Sequence, residues 1–555
     1  MRKQDRQKEH WGSRVGVVVA VAGGAVGLGN FLRFPGQVVN YGGGGFMIPY
    51  LISFLLIAIP LATSEWALGR CGGRAGRHSP LGIYYEVSKK SSFWGICGGL
   101  STITPIVISM YYIFVESWCL LYALQYLGGL LDRFGLGFSL ISGVTPGLAL
   151  EGSEQYAEIF NASIGSARDG SLFHNATAPL LLLTLFCAFA NFYLIYRGVS
   201  NGIERFSKIV APLILICSFL IVGRVLTLGN PTGRVDQSLL DGLGFMWNPS
   251  REIVLENGET TRLSAWTSLT NPETWLAATS QIFYTVSICL GATCTYASYV
   301  RSKEDIALSS VTSTASNEFC EVVLGGFMAV PPAVMFLGAQ VADKVGSSFS
   351  LGFVVLPNVF DKMPGGEFFG FLFFTLLFCA AITSSMSIVQ PTLALFHDSL
   401  KLPRAACVVL VSALVLSGTL FVCWFTKDLA ALDAFDFWLA NFAPFLGGIF
   451  QTILIACVWK LPNLLDELDR GALIRIPRFF GFVVKWISLP YLALIFAFWC
   501  YKNMRERLLD VANSPVAQLS LAVIVLLILG LLVLSILVIR RWKREGSEAR
   551  NEQLR

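Results

Sequence analysis

The chain has 555 residues, of which 54% are hydrophobic and only 14% are charged, and its formal net charge is +5. A soluble domain usually has about a quarter of its residues charged. This composition therefore excludes a soluble domain, a disordered chain and a disulfide-stapled secreted scaffold. The basic residues lie in short segments between apolar runs, so no nucleic-acid partner is expected. Apolar runs of roughly 20 residues recur, and they predict a protein that crosses the lipid bilayer many times.

Twelve apolar segments are long enough to cross a bilayer, and runs this continuous satisfy their backbone hydrogen bonds as helices. The predicted fold class is an all-α membrane protein with 12 transmembrane helices. The predicted spans are 14–38, 44–70, 95–127, 178–197, 204–227, 273–299, 308–338, 366–396, 405–424, 432–459, 480–501 and 516–540.

Lys and Arg residues predict how the chain sits in the membrane. They are concentrated in the N-terminal segment, in the tail and in the loops on that same side. Because basic loops stay in the cytosol, both termini are expected to be cytosolic. The long loops 128–177 and 228–272 then lie outside the cell. The predicted location is the cell membrane (inner or plasma membrane), with multiple passes.

Two spans break the rules of helix formation. The first contains Gly23, Gly24, Gly27 and Gly29 just before Asn30. The sixth has β-branched residues, hydroxyls and a glycine over 281–291. Irregular backbone at membrane depth is tolerated only where it lines a cavity. The glycines could instead serve close helix packing, but breaks at positions one and six favour a site between two inverted five-helix repeats.

This pattern predicts the organisation of the chain. The expected segments are a cytosolic N-terminal segment 1–13, a first inverted repeat 14–227, an extracellular loop 228–272, a second inverted repeat 273–459, helices 11 and 12 over 460–540, and a cytosolic tail 541–555.

Other chemistries find little support. The sequence has no GxxxxGK[ST] and no HExxH, so neither an enzyme nor an ATP-driven pump is expected. The hydroxyl run Thr383-Ser384-Ser385 in the eighth span offers hard oxygen ligands for a small cation. The same hydroxyls could simply bond back to preceding helical carbonyls.

Several motifs are specific enough to point to a family. They are Trp11-Gly12-Ser13-Arg14, Ala25-Val26-Gly27-Leu28-Gly29-Asn30-Phe31-Leu32-Arg33-Phe34-Pro35, Gly42-Gly43-Gly44-Gly45-Phe46-Met47-Ile48-Pro49-Tyr50, Gln281-Ile282-Phe283, Tyr296-Ala297-Ser298-Tyr299 and Asp436-Phe437-Trp438. The chain closely resembles the neurotransmitter:sodium symporter family over essentially its whole length, and looks most like the prokaryotic members, such as bacterial leucine transporters. The resemblance implies a five-plus-five inverted-repeat core with unwound helices 1 and 6, two peripheral helices and Na⁺-coupled alternating access.

The resemblance also implies two Na⁺ sites and a substrate pocket. The first ion would be held by Ala25, Asn30, Thr285 and Asn317, together with the substrate carboxylate. The second would be held by Gly23, Val26, Ala380, Thr383 and Ser384. The substrate would touch Ala25, Gly27, Leu28, Gly29, Ile108, Tyr112, Tyr284, Thr285, Ser287, Ile288, Cys289, Leu290, Ser384, Ser385 and Ile388.

Gates and ion dependence follow from the same resemblance. Arg33 and Asp436 resemble an outer ion-pair gate. The inner gate would consist of Lys8, Asp398, Trp11, Ser298 and Tyr299. Glu321 stands where chloride-dependent animal members have a small hydroxyl residue, and is expected near Tyr50 and Gln281. Its carboxylate predicts chloride independence, and its protonation in the returning empty carrier predicts H⁺ counter-movement.

Substrate choice stays open at this point. The run Ile288-Cys289-Leu290-Gly291 resembles the GABA, taurine, betaine and creatine branch rather than the leucine type. A small zwitterionic α-amino acid is the first expectation. A β- or γ-amino acid, a betaine or a guanidino acid is the alternative. A Na⁺-dependent amino-acid sensor and a channel are further alternatives, and the sequence leaves a homodimer open.

Overall fold

The computed structural model describes residues 11, 14–132, 153–174, 178–234, 237–254, 260–338 and 348–554, and most of them are helical. The helices in chain order are α1 Arg14–Ala25, α2 Gly29–Asn40, α3 Gly44–Arg74, α4 Pro80–Val87, α5 Ser92–Asp132, α6 Ser153–Ile164, α7 Ala178–Tyr196, α8 Val199–Leu226, α9 Leu239–Trp247, α10 Ala265–Thr270, α11 Pro272–Thr285, α12 Ala292–Ala297, α13 Ile306–Leu337, α14 348–362, α15 Gly366–Leu400, α16 Arg404–Trp424, α17 Lys427–Asp469, α18 Phe479–Asn513 and α19 Pro515–Leu554. One antiparallel hairpin joins β1 (Arg251–Val254) to β2 (Thr260–Leu263), with Arg251 opposite Leu263.

Within the described residues, ten helices are long and apolar enough to cross a membrane. A further span is the bent pair α1 and α2, whose axes differ by 47°. The predicted sixth span consists of α11 and the short α12, separated by irregular backbone at 286–291. The all-α membrane fold is therefore confirmed, while the count of twelve spans and the inverted repeat stay predictions.

The spans form a buried centre and a lipid-facing periphery. The most apolar stretches of α5 and α15 are 94% and 83% buried in the protein, whereas that of α19 is only 28% buried. Large apolar side chains on α19, such as Leu526 and Val533, are more than half exposed. Because the hydrocarbon of a bilayer is as apolar as leucine, these exposed faces are suited to contact lipid.

An aromatic cluster packs one part of the core, between α5, α6, α14 and α15. The Trp118 ring on α5 meets Phe160 of α6 and Phe353 of α14 edge to face, with centroids 5.5 and 5.8 Å apart. Tyr122, one turn further along α5, packs on Phe353 and on Phe374 of α15. Each such pair contributes about 0.5–1.5 kcal/mol beyond its buried area. The cluster fixes α6 and α14 to the buried helices α5 and α15.

A buried arginine joins α3 to α17. The Arg70 side chain on α3 is fully buried, and its Nε donates to Glu467 Oε1 of α17 at 2.7 Å. Its Nη1 donates to the carbonyls of Glu304 and Arg470, at 2.6 and 2.9 Å. Arg74 adds a second ion pair to Glu467, at 2.6 Å. Such a network compensates the cost of burying the guanidinium charge.

The two long regions predicted to lie outside the cell contain more structure than the hydropathy pattern indicates. The region 128–177 begins with the end of α5 and includes α6. The region 228–272 contains α9, the β1–β2 hairpin and α10. Ser238 and Asp241 begin α9 with a reciprocal capping box, which supplies hydrogen bonds to otherwise unpaired N–H groups.

Candidate functional site

The first helix is interrupted at 26–28, between α1 and α2. The Gly27 N–H, which lacks a helical partner there, donates to Asn30 Oδ1 at 2.8 Å. The Leu28 N–H donates to the Tyr112 hydroxyl of α5 at 3.3 Å. A Cβ on Gly27 would lie 2.4 Å from Ser384 Oγ, so any other residue here would force the Ser384 side chain to move. The break therefore brings the backbone between α1 and α2 against α5 and α15.

The second break lies between α11 and α12. Ser287, Cys289 and Gly291 all have left-handed backbone, with φ of 53°, 64° and 76°. For the two non-glycine residues this conformation costs roughly 1–2 kcal/mol each. The Cys289 N–H donates to Glu65 Oε1 of α3 at 2.7 Å, which replaces a lost helical hydrogen bond. Strain of this kind persists where surrounding structure enforces it, commonly at functional sites.

A cavity lies where the two breaks meet. Its walls come from both broken helices and from α5, α15 and α17. The lining residues are Gly24, Ala25, Gly27, Gly29, Ile108, Tyr112, Phe283, Tyr284, Ser287, Leu290, Ser384, Ile388, Ala440 and Pro444. None of them is an acid or a base, and the polar groups are hydroxyls and backbone. A mostly apolar cavity with few polar groups is the usual form of a small-molecule site.

Beside this cavity lies a cluster of buried oxygens. Asn30 Nδ2 has four acceptors within 3.3 Å: Thr285 Oγ1, the Asn317 carbonyl, Asn317 Oδ1 and Glu321 Oε2. All four residues are fully buried. One amide has only two hydrogens to give, so lone pairs are in surplus. A buried polar cluster with more oxygen lone pairs than hydrogens to fill them fits a hard cation such as Na⁺.

The residues expected at the second ion lie between α1 and α15. Ser384 Oγ is 3.5 Å from the Val26 carbonyl, across the first break. Thr383 Oγ1 lies 3.0 Å from the Ala380 carbonyl and 3.1 Å from that of Cys379, which is the back-bonding arrangement. A Cβ on Gly23 would meet nothing within 4 Å. Hydroxyl and carbonyl oxygens therefore approach one another here, in the ligand chemistry that Na⁺ takes.

Glu321 sits in a polar network that adjoins this cluster. Gln281 Nε2 donates to Glu321 Oε1 at 2.8 Å and to the Gly29 carbonyl at 3.2 Å. The Thr285 hydroxyl also bonds to Glu321. Tyr50 donates to Glu318, one turn earlier on α13, at 3.0 Å. Sequence reasoning did not assign Glu318 a role, although two glutamates three residues apart lie on one helix face.

Five residues predicted to touch substrate do not line the cavity, namely Leu28, Thr285, Ile288, Cys289 and Ser385. The Ser385 hydroxyl points away and donates to Glu116 of α5 at 2.6 Å. The Cys289 side chain packs against the glycines 447–448 of α17. Ile288 is fully buried and is not in the cavity wall. Neighbouring residues of a helix, or of an irregular turn, face different directions, and substrate contact at these positions stays a prediction.

The predicted outer gate is connected in a different way. Among the described residues, Arg33 and Asp436 form no direct ion pair, and each bonds to other groups. Asn441 joins them instead, accepting from Arg33 Nη2 at 2.9 Å and donating to Asp436 Oδ2 at 2.8 Å. The Arg33 guanidinium lies over the Tyr284 ring, 4.6 Å from its centroid. The ion-pair prediction is thus corrected to a bridged pair.

Trp11, predicted to belong to the inner gate, packs against α12. Its Nε1 donates to the Tyr296 carbonyl at 3.0 Å, and the two rings meet edge to face at 5.3 Å. His78 stacks on Tyr299 with centroids 4.4 Å apart, and its Nδ1 lies 2.9 Å from Ser298 Oγ.

Asp398, the predicted inner-gate acid, caps the start of α4. Its Oδ2 accepts from the His78 and Ser79 N–H groups at 3.1 and 3.0 Å, and from Ser79 Oγ at 2.7 Å. Lys8, its predicted partner, lies outside the described residues.

Sequence reasoning missed several residues of the site. Gly24, Phe283, Ala440 and Pro444 line the cavity, and Asn441 and His78 contact gate residues. The dipeptide Phe283-Tyr284 was a usable signal for one of them, because both residues flank the second break. The spacing of Ala440, Asn441 and Pro444 in the sequence does not indicate that they lie at the cavity or the gate.

The geometry defines the class of protein: a polytopic membrane protein with a small-molecule cavity and buried oxygen clusters at two helix breaks, as in secondary transporters. A model of the Sodium:neurotransmitter symporter family matches residues 8–132 and 258–545, and the chain belongs to this family. It is therefore a sodium-dependent transporter of a small molecule across a membrane, and not an enzyme.

Relatives and a solved structure support this assignment. A sodium-dependent transporter of Methanocaldococcus jannaschii is 26% identical over 493 residues, covering 87% of this chain and 88% of the relative. The sodium- and chloride-dependent taurine transporter of Bos taurus is 27% identical over 505 residues, covering 83% and 73%. The crystal structure of MhsT in complex with L-phenylalanine superposes with a TM-score of 0.71 at 26% identity, covering 88% of this chain and 99% of that one.

Proposed function

We propose that this transporter takes up a small zwitterionic α-amino acid together with Na⁺ by alternating access. The observation that carries the proposal is the cavity at the two breaks. It is lined by the Gly29 backbone, by the Tyr112 hydroxyl, which accepts from the Leu28 N–H, and by apolar side chains that include Ile108 and Ile388. No acid or base lines it, which suits a ligand whose two charges are met by backbone groups and by Na⁺. The L-phenylalanine complex of MhsT supports an α-amino acid.

Coupling would arise from contact between ion and substrate. The oxygen cluster of Asn30, Thr285 and Asn317 adjoins the cavity through Ala25, which lines it. A substrate carboxylate placed there would complete the coordination of the first ion. Binding of each would then raise the affinity for the other, which is the reciprocal coupling that symport requires. The second ion would lie between Val26 and Ser384.

Chloride independence is the second part of the proposal. Glu321 places a fixed negative charge beside Gln281, Asn30 and Thr285, all of which donate to its carboxylate. A chloride ion would need those same donors. Because the carboxylate already occupies them, the cluster needs no external anion to balance Na⁺.

A second candidate substrate class has its own support. Leu290 lines the cavity at a position where the leucine-type pattern has an aromatic residue. The bovine relative is a taurine transporter. A β- or γ-amino acid, a betaine or a guanidino acid is therefore the alternative substrate. Pocket changes of this size are worth about 1–3 kcal/mol, which is enough to reorder substrates.

The test is uptake into proteoliposomes under an inward Na⁺ gradient, with K⁺ in place of Na⁺ as the control. The competition panel holds leucine, phenylalanine, alanine, proline, taurine, GABA, betaine and creatine, and gluconate replaces chloride in a parallel series. Competition by α-amino acids, unchanged in gluconate, is the expected result. Competition by taurine, GABA, betaine or creatine alone would support the second candidate, and loss of uptake in gluconate would contradict the role of Glu321.

A further inference from the structure

Asn441 stands at the centre of a polar network that closes the extracellular side of the cavity. Its Oδ1 accepts from Arg33 Nη2 at 2.9 Å and from Ser280 Oγ at 3.3 Å. Its Nδ2 donates to Asp436 Oδ2 at 2.8 Å and to the Asp436 carbonyl at 3.2 Å. A carboxamide carries both an acceptor and a donor on one short side chain. Its oxygen therefore faces the cation and its nitrogen faces the anion.

The local helix geometry makes this bridge possible. Asp436–Phe442 is a π-helical turn within α17. In an α-helix each residue turns by about 100°, so residues five apart would point roughly 140° away from each other. In a π-helix the hydrogen bonds run from i to i+5, so Asp436 and Asn441 lie on the same side. A π turn at this place is what allows the two side chains to meet.

The network formed by Arg33, Asn441 and Asp436 reaches the cavity wall at two points. Arg33 packs over the ring of Tyr284, which lines the cavity, at 4.6 Å from the centroid. Asp436 Oδ1 accepts from the Tyr111 hydroxyl at 2.8 Å, next to Tyr112 of the cavity wall. Movement of either tyrosine is thus transmitted to the network through one direct contact. Asn441 connects the Arg33–Tyr284 contact, between α2 and α11, to the Asp436–Tyr111 hydrogen bond, between α17 and α5.

We propose that Asn441 is the positioning residue of the extracellular gate: its amide joins Arg33 to Asp436, and the gate opens by breaking these two hydrogen bonds rather than a direct ion pair. The proposal rests on the assignment of Arg33 and Asp436 to that gate. It assigns Asn441 no contact with substrate or ion.

The test exchanges the charges across the bridge. Asn441→Leu removes the donor and the acceptor at similar volume, and Asp436→Asn removes the anion. In the double variant Asn441→Asp/Asp436→Asn, the carboxylate at position 441 accepts directly from Arg33, while the amide at position 436 can still donate to it and accept from Tyr111. Asn463→Leu, at the cytosolic end of α17, is the matched control. The readout is hydrogen–deuterium exchange of peptides over 28–40 and 436–442, with the full chain in nanodiscs at saturating NaCl.

The expected result is exchange at least tenfold faster in Asn441→Leu and in Asp436→Asn, and within twofold of the parent in the double variant and in Asn463→Leu. Retained ²²Na⁺ binding shows that a variant is folded. If Asn441→Leu does not fold, Asn441→Ser, whose side chain is too short to bridge, takes its place.

Two outcomes would overturn the proposal. One is parent-like exchange in the Asn441 variant while Asp436→Asn exchanges fast. The other is a double variant that exchanges as fast as Asp436→Asn, because Asn441 would then only fill space. Parent-like exchange in Asp436→Asn itself would remove the gate assignment on which the proposal rests.

Discussion

At the residue scale, glycines of the first break differ sharply in the room beside them. A Cβ on Gly27 would lie 2.4 Å from Ser384 Oγ and 3.0 Å from the Tyr112 hydroxyl, whereas one on Gly23 meets nothing within 4 Å. Gly27→Ala should therefore displace two residues of the cavity wall and lower Na⁺-driven amino-acid uptake by more than tenfold. Gly23→Ala should stay within twofold of the parent. Equal losses in the two variants at equal protein level would contradict this account.

Chloride dependence can be created at a single residue. Glu321→Ser removes the carboxylate but leaves the donors of Gln281, Asn30 and Thr285 in place. Uptake by this variant should require chloride and fall to background in gluconate, because an external anion must now accept those hydrogen bonds. The control is Glu318→Ser, the same change one turn earlier, which should remain independent of chloride. Uptake by Glu321→Ser that is equal in chloride and gluconate would disprove the role.

Residue types were predictable from the sequence, but side-chain directions were not. The oxygen-bearing residues Asn30, Thr285 and Asn317 were expected together, and the structure brings them within hydrogen-bond distance. Their grouping follows from the family motifs. Ser385 was expected beside Ser384 at the cavity, yet its hydroxyl bonds to Glu116. Adjacent helical residues differ by about 100° around the axis, so one of two adjacent hydroxyls necessarily faces elsewhere.

At the element scale, the second break stores strain that a substitution can release. Ser287 has φ of 53° and lines the cavity. Ser287→Gly removes the clash of Cβ in the left-handed conformation, whereas Ser287→Ala keeps it. The glycine variant should therefore be more stable than the alanine variant by about 1 kcal/mol, measured as a higher midpoint of thermal unfolding in detergent.

The same pair of substitutions at Ser316, an exposed helical residue of α13, provides the control. There the order should reverse, since glycine destabilises a helix interior by about 1 kcal/mol relative to alanine. The same order at both positions would show that the left-handed backbone does not determine the effect.

Spans could be located from hydropathy because the bilayer demands about 20 apolar residues per helix. Hydropathy does not predict which side chains of a span face the protein interior. Several spans contain π-helical turns, including Phe319–Gly325 around Glu321 and Asp436–Phe442 around Asn441. Each such turn rotates the following residues relative to an α-helix, and no feature of composition marks it. Prediction of a contact across such a turn therefore fails even when the helix itself is correctly located.

At the scale of the whole molecule, the distribution of Lys and Arg predicts the orientation in the membrane. Epitope tags added before residue 1 and after residue 555 should both be shielded in intact right-side-out cells and become accessible on permeabilisation, because basic segments remain cytosolic. A tag inserted in the exposed part of the region 228–272, near Leu240, should be accessible in intact cells. Tags at the two termini that label from opposite sides would contradict an even number of spans.

The buried Arg70 network has a consequence for how the chain is made. Its carboxylate partner Glu467 lies 397 residues further along the sequence. At a synthesis rate of about 5–20 residues per second, the ribosome needs on the order of 20–80 s between the two residues. During that interval the Arg70 guanidinium on α3 lacks its final partner, the Glu467 carboxylate. We therefore expect the end of α3 that carries Arg70 to reach its final packing only after most of the polypeptide has been synthesised, and a chain that stops before residue 467 lacks the carboxylate partner of this cation.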